Sequence, residues 1–285
     1  GIGQEDSIFL LFPNAINETQ REILFIKETN EHIAIWEGHK LTKTAASQVS
    51  AVANVQWLDS FDSIFHALVQ QAEIIYLSTN EHSRADTSVE TRNDRFIKKC
   101  QIAYPLHQYS RLAPHLSQLR SIKEPEEINL IQKACDITES GFRRVLKRIA
   151  PNVGEWEIEA EFIHEFVSQR SRGFAYSPII GGGANNCVLH YVDNDQVLRD
   201  GDLVLMDVAA EYANWNADMT RTVPVNGKFS ARQRVVYDAV LRVMNFACKI
   251  ARPGTKPGDY QAQVLEKMER ELILLGLIDS EEAQQ

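Results

Sequence analysis

No apolar stretch in this chain approaches the ~18 residues that a membrane-spanning helix requires, so no helical crossing of a bilayer is expected. No basic segment followed by an apolar one opens the sequence, so no export signal is read there. No CxxC pair occurs among the four cysteines, Cys100, Cys135, Cys187 and Cys248. Their wide spacing suits neither a zinc site nor a disulfide framework, and a reduced, cytoplasmic setting is expected. No Gly-rich phosphate loop follows any candidate strand, which argues against a nucleotide site. No Lys/Arg cluster offsets the net charge of −9; Lys98-Lys99 and Arg143-Arg144 are isolated doublets, and a nucleic-acid surface is not expected. What remains is a globular chain of 285 residues, 44% hydrophobic and 24% charged, long enough for one large domain or two ordinary ones.

Residues 1 to about 120 alternate apolar runs with helical spacing. Ile8–Phe12, Ile23–Ile26, Ile33–Trp36 and Ile74–Leu77 read as strands, and 44–55 and 60–71 as helices, which together suggest an α/β unit. The histidines of this part (His32, His39, His66, His82, His107, His115) show no ligand spacing and are expected at the surface. A boundary falls near 114–124. Pro125-Glu126-Glu127 then opens a helix, with proline tolerated in the first turn and acids favoured by the dipole. A second helix over 155–170 is expected to bury Trp156, Ile163, Phe166 and Val167. Strands are expected at 177–180 and 188–192, then a hairpin, then helices over 231–252 and 260–275.

The hairpin carries the chemistry. An apolar run, Leu203-Val204-Leu205-Met206, ends at Asp207, where aspartate is depleted in strands. A polar turn follows, and alternation resumes through Met219, Arg221 and Val223. With Tyr212 and Ala213 at the turn, Asp207 and Asp218 become direct cross-strand partners, with Cβ atoms about 4.5–5.5 Å apart. Like charges there repel, and a divalent cation between them turns repulsion into binding. Hard carboxylate oxygens suit Mn, Mg, Ca or Fe. The same pattern also fits two strand-end carboxylates turned to solvent. Thr220 and Thr222 share the face of Asp218, and His190 falls in an apolar run behind the loop Gly181-Gly182-Gly183-Ala184-Asn185-Asn186.

The order Gly-Gly-Gly-Ala-Asn-Asn-Cys-Val-Leu-His190-Tyr, Arg-Asp-Gly-Asp-Leu-Val-Leu-Met-Asp207, Ala-Asp218-Met-Thr-Arg-Thr-Val-Pro resembles the Xaa-Pro aminopeptidase (aminopeptidase P) family. Arg120-Ser-Ile-Lys-Glu-Pro-Glu-Glu-Ile resembles the start of its catalytic domain. The resemblance implies an α/β N-terminal domain over 1–119 and the α+β pita-bread (creatinase/aminopeptidase-like) catalytic domain over 120–285, the first lacking its start and the second its end. It implies a dinuclear metallopeptidase, usually with two Mn²⁺ ions, that acts on peptides with proline second and forms homo-oligomers. Asp207 would bind one metal, Asp218 would bridge both, and His190 would face the scissile bond. The family's remaining ligands, one His and two Glu, follow the hairpin. No histidine follows His190 here, so two of five ligands are present and this chain alone is expected to be inactive. A prolidase cutting Xaa-Pro dipeptides and a metal-free peptide-binding module of the same fold are the alternatives.

Overall fold

The computed structural model describes residues 2–82, 85 and 88–279. The chain divides into two compact units between Ile122 and Lys123.

The first unit begins with β1 (Ile8–Leu11) and β2 (Glu22–Ile26), followed by α1 (Glu31–Glu37), α2 (Lys43–Ser50), β3 (Asn54–Trp57) and α3 (Phe61–Val69). β2 is central, antiparallel to β1 and parallel to β3. Its four apolar residues are buried on both faces, Ile23 and Phe25 against Phe61 and Leu68, Leu24 and Ile26 against Ala46 and Val55. That is why it reads as a continuous hydrophobic run and not as an alternation. β4 (Ile74–Leu77), α4 (Arg92–Ala103), β5 (Gln108–Arg111) and α5 (Ala113–Ser121) complete the unit, with β4 and β5 parallel.

Three expectations fail here. Ile33–Trp36 is helical: the Asn30 side chain accepts from the Ile33 amide and caps α1, leaving Ile35 and Trp36 exposed. A four-residue apolar run cannot by itself distinguish strand from helix, and the cap decides. The helix expected over 44–55 stops at Ser50, where Ala51 turns left-handed (φ 61°) and the chain enters β3. His107 is half-buried, its Nε2 2.9 Å from the Val69 carbonyl, whereas the other five histidines of this unit are exposed.

The second unit packs two long helices, α6 (Pro125–Val145) and α7 (Glu155–Ser168), against small antiparallel sheets. These are formed by β6 (Gly173–Phe174), β7 (Ile179–Gly182), β8 (Leu203–Asp207), β9 (Ala210–Tyr212), β10 (Trp215–Asn216) and β11 (Thr220–Pro224). One sheet has the order β11-β8-β7, the other β10-β9-β6. α8 (Ala231–Ile250) and α9 (Pro257–Leu274) follow as a helical pair. The core joins Phe142, Val145, Ile158, Phe162 and Phe166 of the helices to Ile180, Val204 and Met206 of the sheet. The buried Thr138 hydroxyl accepts from the Ala210 amide at 2.9 Å and donates to the Ala134 carbonyl, tying α6 to β9.

Here too the structure corrects the pattern reading. α7 buries Glu155, Ile158, Phe162 and Phe166, an i, i+3, i+7, i+11 stripe. Trp156, Ile163 and Val167 sit on a neighbouring stripe and are exposed, so of the four residues expected inside only Phe166 is buried. Residues 188–192 form no strand; Gly183–Cys187 is a 3₁₀ turn and His190 lies in the turn after it.

Candidate metal centre

Alternation along β8 sets the geometry. Val204 and Met206 are fully buried in the core, so Leu203, Leu205 and Asp207 face the other side of the sheet. Asp207 closes the central strand, opposite Ile179 of β7 and Thr220 of β11. Its carboxylate is half-buried, whereas Asp218, in the link between β10 and β11, is exposed.

The expected register is displaced. The turn is Ala213-Asn214, both left-handed (φ 52° and 68°), with Tyr212 opposite Trp215. Two consecutive positive φ values are the requirement of the tight hairpin turns whose twist matches the strands. Glu211 Oε1 accepts from the Asn214 amide and closes that turn. Asp207 therefore faces Thr220 and not Asp218. The ladder continues between sheets through Val208 N–H to the Met219 carbonyl at 3.0 Å and Ala217 N–H to the Ala210 carbonyl at 3.1 Å. Moving the turn by one residue moves the pairing by two, and an even shift keeps every side chain on its face. Asp207 and Asp218 are diagonal neighbours on one face.

Tyr176 brings the two carboxylates to a point. Its hydroxyl donates to Asp207 Oδ1 at 2.6 Å and lies 3.3 Å from Asp218 Oδ1. The ring packs with Ala134, Ala209 and Ala217, small residues that leave room for it, and the Ala175 amide is bonded to the Ala209 carbonyl at 2.8 Å. Burial raises the Tyr176 pKa, and the hydrogen bond to Asp207 and the charges of Asp207 and Asp218 raise it further, so the phenol stays protonated and remains a donor. Sequence pattern missed Tyr176. It lies in a bend between two strands, outside any motif spacing.

The donor set suits part of a divalent-metal site. Two hard carboxylate oxygens converge on one partially positive hydrogen, and the exposed Asp218 leaves the place open to further ligands. Among the described residues, no group of three or more His, Cys, Asp or Glu side chains is arranged to hold a metal ion. His190 is exposed on its turn and is not among the hydrogen-bond donors to the pair.

The glycine-rich segment is explained by close approach. A Cβ on Gly182 would stand 2.6 Å from Leu198, and Gly183 is left-handed (φ 56°) with Asp202 against the place of its Cβ. Asn186 then uses both ends of its amide on β8, donating to the Leu203 carbonyl at 2.9 Å and accepting from the Leu205 amide at 3.0 Å. A side chain thus bonds backbone groups of β8 at the end of its ladder with β7.

Two family models match the chain: "Metallopeptidase family M24" over residues 129–281 and "Aminopeptidase P, N-terminal domain" over 1–76. The Xaa-Pro aminopeptidase of Haemophilus influenzae is 31% identical over 278 residues, which are 98% of this chain and 62% of the relative. The structure of proline aminopeptidase P II from Yersinia pestis superposes with a TM-score of 0.80 at 33% identity, over 91% of this chain and 60% of that one. Zn-substituted Escherichia coli aminopeptidase P in complex with product gives 0.79 at 29% identity, over 91% and 59%. The chain thus spans about 62% of the length of the curated relative.

Proposed function

This chain belongs to metallopeptidase family M24, and on that premise we propose that it serves an Xaa-Pro aminopeptidase, a hydrolase that removes the residue preceding a proline at the second position of a peptide. The observation that supports this most directly is the convergence of Asp207 and Asp218 on the Tyr176 hydroxyl. In this reading Asp207 and Asp218 would hold the divalent metal, with Mn²⁺ as the expected ion. When bound, the metal would supply Lewis-acid chemistry for activating water and polarising a peptide carbonyl.

The chain's own residues have separate tasks. Asp207, flanked by strands on both sides, is the fixed carboxylate. Asp218, exposed and outside a regular strand, can adjust to what it binds. Tyr176 keeps the two oxygens aimed together. His190, exposed on its turn, would in this reading donate to a substrate carbonyl as negative charge develops there. A cytoplasmic, homo-oligomeric enzyme is the corresponding cellular picture.

The test uses the full-length protein with Mn²⁺. Cleavage of Xaa-Pro-containing tripeptides and longer peptides, with Xaa-Ala controls left intact, supports the reading. Cleavage confined to Xaa-Pro dipeptides would replace it with a prolidase, and no cleavage with no metal bound would replace it with a binding module.

A further inference from the structure

α7 begins with a carboxylate that is entirely inside the protein. Glu155 has no solvent exposure, and none of the ion pairs among the described residues includes it. Removing a carboxylate from water without a countercharge is costly, and only hydrogen bonds to the charged form offset it. Glu155 has four donors. Oε1 accepts from the Gly182 amide at 2.7 Å and stands 3.4 Å from Asn185 Nδ2. Oε2 accepts from the Tyr191 hydroxyl at 2.7 Å and the Gln196 amide at 3.0 Å. The Glu155 amide returns a bond to the Gln196 carbonyl at 2.9 Å.

These donors come from the end of β7, the 3₁₀ turn and the segment that follows His190. One buried side chain therefore clamps three stretches of the chain to the first turn of α7. Tyr191 is the residue after His190 and is 8% exposed. Its hydroxyl is held protonated by burial and by Glu155, so it remains a donor. Asn194 adds a second clamp on the same segment, accepting from the Ile180 amide at 3.0 Å and donating to Glu159 and the Pro178 carbonyl. His190 is exposed and takes part in none of these bonds. Its position follows from its neighbours.

We infer that Glu155 is a positioning residue that sets the place of His190 through Tyr191 and the Gln196 backbone. The function of that placement rests on the peptidase reading above. An apolar side chain would fill the same volume but accept nothing. A carboxylate satisfies two fixed backbone N–H groups and one hydroxyl only when the 191–196 segment sits in a single arrangement. Glutamine is a sharp substitute, because either orientation of its amide turns an NH₂ group toward a fixed backbone N–H, of Gly182 or of Gln196.

The experiment compares Glu155→Gln, Tyr191→Phe, His190→Ala and the two doubles with His190→Ala in the full-length, Mn²⁺-loaded protein. Glu155→Gln and Tyr191→Phe should each lower kcat by between about tenfold and a hundredfold, the cost of a small misplacement of a reacting group, with KM and bound metal little changed. Each double should be no slower than His190→Ala alone, since a residue that acts through His190 has nothing left to position. The His190 ring resonances should shift or broaden in both single variants, and amide exchange over 188–196 should quicken. Multiplying losses in the doubles, or His190 resonances and amide exchange unchanged from wild type, would overturn the inference. Should Glu155→Gln not fold, Tyr191→Phe decides by the same measurements. Should the wild-type protein cleave no Xaa-Pro peptide, the functional reading fails, and the resonances and exchange still decide whether Glu155 places His190.

Discussion

Asp207 and Asp218 meet at one tyrosine hydroxyl although they are not opposite each other across their hairpin. The diagonal leaves Thr220 as the direct neighbour of Asp207 and leaves Asp218 free of a regular strand. One carboxylate is thus held by the sheet, while the other, outside a regular strand, meets the Tyr176 hydroxyl at 3.3 Å.

Tyr176→Phe should destabilise the metal-free protein by roughly 1.5–3 kcal/mol, the range for a hydrogen bond to a charged group. The loss should shrink with Mn²⁺ present, because the cation takes over the role of the hydroxyl proton between the carboxylates. Urea unfolding with and without Mn²⁺ measures both; an equal loss in the two conditions would remove Tyr176 from the site.

Asp218→Ala should lower bound metal in the full-length protein more than His190→Ala does, and should abolish peptide cleavage. In the proposed reading a bridging carboxylate would contribute to both ions, whereas the histidine would act on substrate. Metal analysis of the purified variants checks this, and equal metal loss would contradict the division of roles.

The present chain, expressed by itself, should hold Mn²⁺ weakly and cleave no Xaa-Pro peptide. Two carboxylates leave most positions around an ion to water, and hard-metal sites with few charged ligands bind weakly. Titration calorimetry with Mn²⁺ is the check; tight binding would show that these residues suffice.

Ala213→Gly should raise stability by up to about 1 kcal/mol, because alanine at φ 52° carries a left-handed strain that glycine lacks. Asn214→Val should lower it, since a β-branched residue resists that conformation. Thermal unfolding of the two variants tests the turn assignment directly.

Glu271 gives the protein an acid-sensitive point. Its side chain accepts from Arg242 of α8, joining α8 to α9, and from Lys267 one turn earlier in α9, and these bonds lower its pKa to about 2 from an ordinary 4.5. A lowered carboxylate pKa contributes stability above the unfolded value, and the contribution fades as pH falls from about 4.5 toward 2. Glu271→Gln should therefore be less stable at neutral pH and show a flatter loss across that window. Denaturant unfolding at pH 6, 4 and 3, chosen to bracket ~4.5, reads the difference.

The family resemblance carried by the residues around Asp207 and Asp218 agrees with the matches to metallopeptidase family M24 and to Xaa-Pro aminopeptidases. The sequence by itself determined what depends on residue type and parity. Asp207 at the end of an apolar run and the common face of Asp207 and Asp218 were legible, because strand alternation survives any even error in register, and Ile23–Ile26 was legible as a strand from its apolar run. Tertiary structure decided what depends on which backbone groups find partners. The hairpin turn moved to Ala213-Asn214 because those residues adopt positive φ, and residues 188–192 form turns in which the Val188 and Tyr191 amides bond back to the Asn185 and Val188 carbonyls instead of a neighbouring strand. Tyr176 and Glu155 had no signature, since a lone tyrosine in a bend and an acid at a helix start are common; only the packing of distant segments brings their partners within reach.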